Sequence, residues 1–109
     1  MAAPAPPRIV IDADDGATLA VAHVDLVDAD TVRASLHVVP GHLPAGVRTR
    51  LVDAVFDDPE VRARRHVQLT LPLGDFEILD GVRRRSVLVT FRAAGSTCLV
   101  EAELPTSHP

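Results

Sequence analysis

The feature that most constrains this chain is a strict alternation. In residues 31–39, Val32, Ala34, Leu36 and Val38 fall on one side of an extended backbone. Thr31, Arg33, Ser35 and His37 fall on the other. A period of two, rich in β-branched residues, marks a strand with one buried face. Residues 18–27 repeat the pattern, with Ala20, Ala22, Val24 and Leu26 opposed to Leu19, Val21, His23 and Asp25. Only Asp28, Ala29 and Asp30 separate the two runs, so they fold back as an antiparallel hairpin. A hairpin with one apolar side must be covered by something else in the chain.

The cover follows in the sequence. After a Pro/Gly loop, Val47, Leu51 and Val55 recur every four residues, and Val52 and Phe56 widen the stripe. That spacing predicts a helix from Pro44 or Ala45 to Asp57. Pro44 suits a first helical position, where its missing N–H is not needed. Arg48, Arg50 and Asp53 lie outside the stripe. Asp58-Pro59-Glu60 ends this helix and starts a short extra turn. Residues 66–71 alternate again. Asp75 caps a second helix with Phe76 and Leu79, joined by Ile78 and Val82, as its apolar stripe. Residues 86–92 and 97–104 read as strands joined by Ala93-Ala94-Gly95-Ser96. With a short first strand at residues 8–12, the order is β-β-β-α-β-α-β-β. The expected class is α+β: a mixed, mostly antiparallel sheet with two helices. One domain over residues 8–104 is expected, with loose ends at 1–7 and 105–109. A chain of 109 residues has room for one modest core.

Composition narrows the partners. The sequence has no Trp, Tyr, Lys or Asn, and all 11 basic residues are Arg. Acidic residues outnumber them, for a net charge of -4. Nucleic-acid binding by phosphate neutralisation is disfavoured, and the chain has little aromatic surface on which bases could stack. The opening MAAPAPPR lacks the apolar run of a signal peptide, and no stretch is apolar for the roughly 20 residues a membrane crossing requires. The single Cys98 lies on an apolar strand face, reads as a buried thiol and fits a reducing, cytoplasmic setting.

The loop before the first long helix reads Leu43-Pro44-Ala45-Gly46-Val47-Arg48, and Thr49-Arg50-Leu51-Val52 continue it. Element order and loop together resemble the GNAT acetyltransferase superfamily, whose loop has the form Arg/Gln-x-x-Gly-x-Gly/Ala. Gly46 falls on the family glycine, and Val47, Leu51 and Val52 on its apolar helix positions. The resemblance implies a GNAT-like fold and a phosphate cradle at a helix N-terminus, where free N–H groups carry partial positive charge. It further implies acetyl-coenzyme A or coenzyme A on Leu43, Ala45, Gly46, Val47 and Arg48, between two splayed strands at residues 31–39 and 66–71. The chain departs from that pattern. Leu43 replaces Arg or Gln, Arg48 replaces Gly or Ala, and Pro44 removes a backbone donor. The family's tyrosine acid is missing, as are its opening strand and helix pair.

Other residues are weaker candidates. His23 and His37 share the polar side of the hairpin with Asp25, Arg33 and Ser35. Their spacing matches no metal signature, and a solvated polar face is the simpler reading. Were acyl transfer to occur, Ser35 or His37 would be the residue placed to order a water or accept a proton. His42 is expected to cap the first long helix or to touch a ligand. The clusters Arg62, Arg64, Arg65 and Arg83, Arg84, Arg85 read as solvated helix ends or anion contacts. Two functions follow. One is a noncatalytic binding or assembly module, whose open sheet edge takes a second copy or a protein partner. The other is an acetyl-coenzyme A-dependent N-acetyltransferase, or a remnant that still binds the coenzyme.

Overall fold

The computed structural model describes residues 8–105. The expected loose ends at 1–7 and 105–109 lie outside the described residues, apart from Pro105. The elements run β1 (Arg8–Asp12), β2 (Thr18–Leu26), β3 (Thr31–Val38), α1 (Val47–Asp57), α2 (Pro59–Arg62), β4 (His66–Pro72), α3 (Phe76–Arg84), β5 (Leu88–Ala94) and β6 (Thr97–Glu103). The extra turn at Pro59 is thus a short third helix. Six strands form one sheet in the order β1-β2-β3-β4-β6-β5. Every neighbouring pair is antiparallel except β3 and β4, which run parallel.

The alternation decides which face is buried. Ala20, Ala22 and Val24 of β2, Val32, Ala34 and Leu36 of β3, and Val67, Leu69 and Leu71 of β4 are all buried. Cys98, Val100 and Ala102 of β6 join them on the same face. α1 and α3 cover this face and touch each other, α1 lying over β1 to β3 and α3 reaching β5. The opposite face carries Asp25, Arg33, His37 and Glu101 and is exposed at these positions. The result is two layers around a core of Val, Leu and Ala, as a chain with three aromatics requires.

Arg85 holds the two long helices together at their far ends. Its guanidinium donates to Asp57 at 2.6 Å and to Asp53 at 2.9 Å, and lies 5.7 Å from the centre of the Phe56 ring. The Asp57 carboxylate, with Asp53 beside it, outweighs partial burial and raises Arg85 above its ordinary pKa. Arg83 packs over Phe91, 5.4 Å from the ring centre. Arg64 donates to the Asp28 carbonyl and to Glu60. Both arginine clusters are therefore partly spent on contacts within the fold.

Two boundaries and one core position differ from expectation. α1 starts at Val47 rather than at Pro44 or Ala45. The reason is a turn: the Val47 N–H meets the Pro44 carbonyl at 3.4 Å, and Gly46 takes φ +86° and ψ -7°. That is the third position of a type II turn, which glycine occupies without strain. β5 runs from Leu88 to Ala94 instead of over residues 86–92, so Ala93 and Ala94 belong to the strand and the hairpin loop shrinks to Gly95-Ser96. Finally, Phe76 does not join the core; it is 73% exposed.

Candidate functional site: the parting of two parallel strands

β3 and β4 pair from Thr31 with His66 to Ser35 with Thr70, and no further. β3 then continues to Val38 and β4 to Pro72 without pairing to each other. Two loops leave these parted ends, and each opens onto a helix N-terminus, α1 at Val47 and α3 at Phe76. Between them lies an open cleft of about 540 Å³, lined by Val38, Gly41, Arg48, Leu73, Asp75 and Glu77 among others.

The loop residues singled out in the sequence take distinct places here. Leu43 packs against the core instead of facing the cleft. Ala45 is exposed, and Val47 is buried. A side chain added at Gly46 would meet nothing within 4 Å, so the space before this glycine is open, although its φ disfavours any other residue. The Arg50 N–H closes onto the Gly46 carbonyl at 2.9 Å. Among the described residues, the N–H groups of Arg48 and Thr49 have no acceptor. These are the free donors that a helix start leaves. His42 is exposed and does not cap α1, which has no side-chain cap.

Arg48 is the residue that shapes the cleft. Its Nε donates to Asp75 Oδ2 at 2.8 Å, and that carboxylate is only 8% exposed. Asp75 Oδ1 accepts the Ile78 N–H at 3.2 Å, which caps α3. One carboxylate therefore serves both helix N-termini, one through a guanidinium and one directly. Charge-assisted bonds of this kind are the stronger class of hydrogen bond. Sequence reading found Arg48 and Asp75 separately but had no signal for their pairing.

The second group of candidates lies elsewhere, on the open face. Ser35 pairs with His23 across β2 and with Thr70 across β4. The rings of His23 and His37 stand 6.2 Å apart, edge to face. No hydrogen bond joins the Ser35 hydroxyl to either ring among the described residues, and no group of three metal-ligating side chains is found there. No described helix is long and apolar enough to cross a membrane.

No protein-family model matches the sequence, and no curated protein does either. Solved structures do match in shape. Diaminobutyrate acetyltransferase EctA from Paenibacillus lautus, solved with L-2,4-diaminobutyric acid and coenzyme A, is 11% identical with a TM-score of 0.65. The match covers 90% of this chain and 69% of that one. A GNAT superfamily phosphinothricin acetyltransferase from Sinorhizobium meliloti, in complex with AcCoA, is 13% identical with a TM-score of 0.60, over 91% of this chain and 61% of its own. Ribosomal-protein-alanine N-acetyltransferase from Brucella melitensis is 11% identical with a TM-score of 0.63, over 92% and 69%. The chain has the GNAT fold. It spans 73% of one solved GNAT-fold structure and 56% of another. Likeness in shape at identities this low establishes the fold alone. The chemistry has to be argued from the residues of this chain.

Proposed function

We propose that this GNAT-fold domain is a noncatalytic binding or assembly module of the cytoplasm. The observation that carries the reading is the Arg48–Asp75 bridge. A coenzyme pyrophosphate would need positive charge at the α1 N-terminus. Among the described residues, the one cation lining the cleft, Arg48, is already held by Asp75, and Glu77 adds a second negative charge. By this charge balance the residues do not fit coenzyme phosphates. The Ser35 hydroxyl also lacks a hydrogen-bonded base.

A second reading has its own support. The open space before Gly46 and the two free N–H groups are what a phosphate would use, were Arg48 to leave Asp75. In that case the chain is an acetyl-coenzyme A-dependent N-acetyltransferase, or a remnant that binds the coenzyme on Ala45, Gly46 and Val47.

A thermal scan with coenzyme A and acetyl-coenzyme A separates the two. A ligand at one hundred times its dissociation constant stabilises the folded state by about 2.7 kcal/mol, or roughly 10 °C or more for a domain of this size. The module reading expects no shift at millimolar ligand. A rise of that order, abolished by Gly46→Glu, overturns it.

A further inference from the structure

Phe56, Phe76 and Phe91 are the only aromatic side chains in the chain besides histidine. Phe56 is buried, but Phe76 is 73% exposed and Phe91 52%. A small core has most to gain from burying its largest apolar side chains. Here two of the three stay outside, and both stand at one place. A single exposed apolar residue is ordinary, whereas a cluster of them marks a binding surface. The place is a groove of about 260 Å³ between α3 and the β5–β6 hairpin. Leu71, Leu79 and Cys98 form its floor and are nearly inaccessible. Exposed Leu73, Phe76 and Phe91 form its rim.

Register and helical period fix what lines the groove. Phe91 lies opposite Val100 and Ala93 opposite Cys98, so both side chains project to the helix side of the sheet. On α3, Phe76, Leu79 and Arg83 recur along the flank that faces β5. Gly81 lies on the other flank, against Val52 of α1. Glu77, Asp80 and Arg84 fall between the two flanks, on the exposed outer side. Arg83 is therefore the single charge on the groove flank of this helix. Its guanidinium stands over the Phe91 ring, 5.4 Å from the centre. Among the described residues it has no carboxylate partner. Asp75, at the other end of the groove, is already occupied by Arg48 and the Ile78 N–H.

An apolar groove with an unpaired cation at one end is complementary to an amphipathic anion. We propose that it binds a medium-chain monocarboxylic acid. The chain lies over Leu71, Leu79 and Cys98 between the two phenylalanines, and the carboxylate meets the Arg83 guanidinium. Size agrees with this class. An apolar cavity of about 150 Å³ holds benzene, so by proportion this groove takes roughly ten carbons. Shape agrees too, because α3 rises about 10 Å from Phe76 to Arg83, which suits an extended chain. A guanidinium also matches the two oxygens of a carboxylate.

The inference goes beyond the two readings of the cleft and depends on neither. Groove and cleft share the loop from Leu73 to Phe76, but of the two Arg48 lines only the cleft and Phe91 only the groove. A fatty acid without coenzyme therefore probes the groove alone.

Cys98, the single thiol of the chain, reports occupancy from inside the groove. Octanoate at ten times its dissociation constant is expected to slow alkylation of Cys98 by iodoacetamide about tenfold. Calorimetric titration of the full chain gives the affinity independently of the thiol. Butanoate should bind at least tenfold more weakly than octanoate, since each methylene is worth a factor of about two to four. Arg83→Gln, an exposed substitution, should weaken octanoate about fivefold or more and leave octan-1-ol within twofold. Ala93→Leu fills the groove without touching the β6 ladder and should weaken acid and alcohol alike. The site is overturned if millimolar octanoate neither protects Cys98 nor releases or takes up heat. It is equally overturned if butanoate binds as well as octanoate, or if Ala93→Leu leaves the affinity unchanged. An octanoate affinity unmoved by Arg83→Gln overturns the carboxylate assignment. None of these results bears on the coenzyme scan, and the scan does not bear on them.

Discussion

At the scale of single residues, the molecule turns on Asp75. Its two oxygens do different work, one holding the Ile78 N–H and the other Arg48. Asp75→Ala removes a helix cap, which costs about 1 kcal/mol, and leaves the Arg48 guanidinium without its partner. Arg48→Ala removes only the bridge and leaves the cap. The bridge is partly exposed on the Arg48 side, at 28%, so the net value of a charged hydrogen bond is reduced by solvent. We expect Arg48→Ala to cost roughly 1 kcal/mol and Asp75→Ala roughly 2 kcal/mol. The double variant should cost less than their sum by about 0.5–1 kcal/mol, the signature of contacting residues. Urea unfolding of the four proteins measures this, and strict additivity would show that the bridge contributes nothing.

At the scale of elements, α1 and α3 approach closely at Gly81. A Cβ placed there would stand 3.2 Å from both Val52 methyls and 3.3 Å from the Val52 Cβ. Turning the valine side chain moves its methyls but not its Cβ, and Val52 is buried in the core. Gly81→Ala gains about 1 kcal/mol of helix propensity, but overpacking a filled core costs typically 1–3 kcal/mol. We expect a net loss, read as a melting temperature several degrees lower. A melting temperature above that of the natural sequence would show that the helices can separate at no cost.

Element boundaries were partly legible. The Asp75 cap stands out in sequence because an acid before an apolar helical stripe has a local reason to be there. The α1 start is misread from Pro44 because proline fits a first helical position and also fits the turn before one. Gly46 settles the matter only once its positive φ is seen. The β5–β6 loop reads too long because alanine has little strand preference of its own. Ala93 and Ala94 are held in the strand by Cys98 and Thr97 opposite them. Phe76 keeps the spacing of a core residue, yet it occupies the first position of α3 and is exposed there.

At the scale of the whole molecule, one covered face and the exposed β5 edge set the behaviour. The helices bury one side of β2, β3, β4 and β6, and these strands supply most of the core. The β5 edge is where the fold remains unfinished. If a fatty acid fills the groove beside that edge, folding is coupled to binding, and stability depends on ligand concentration. The melting temperature of the natural sequence is then expected to rise with octanoate, whereas that of Ala93→Leu stays constant. Differential scanning calorimetry over two decades of octanoate concentration decides this, and a flat line for the natural sequence counts against the groove ligand.

The sequence by itself determined the strands, their inward faces and the two long helices. These are local periodicities, and hydrophobic burial enforces them wherever the strands go. Tertiary structure alone decided that β3 and β4 lie side by side and then part. It alone placed Arg48 on Asp75, 27 residues away in the chain. It also left β5 rather than β6 at the rim. Each of these depends on which segments meet after the chain has turned back several times. An alternating strand is equally ready to pair on either side, so its sequence does not name its neighbour.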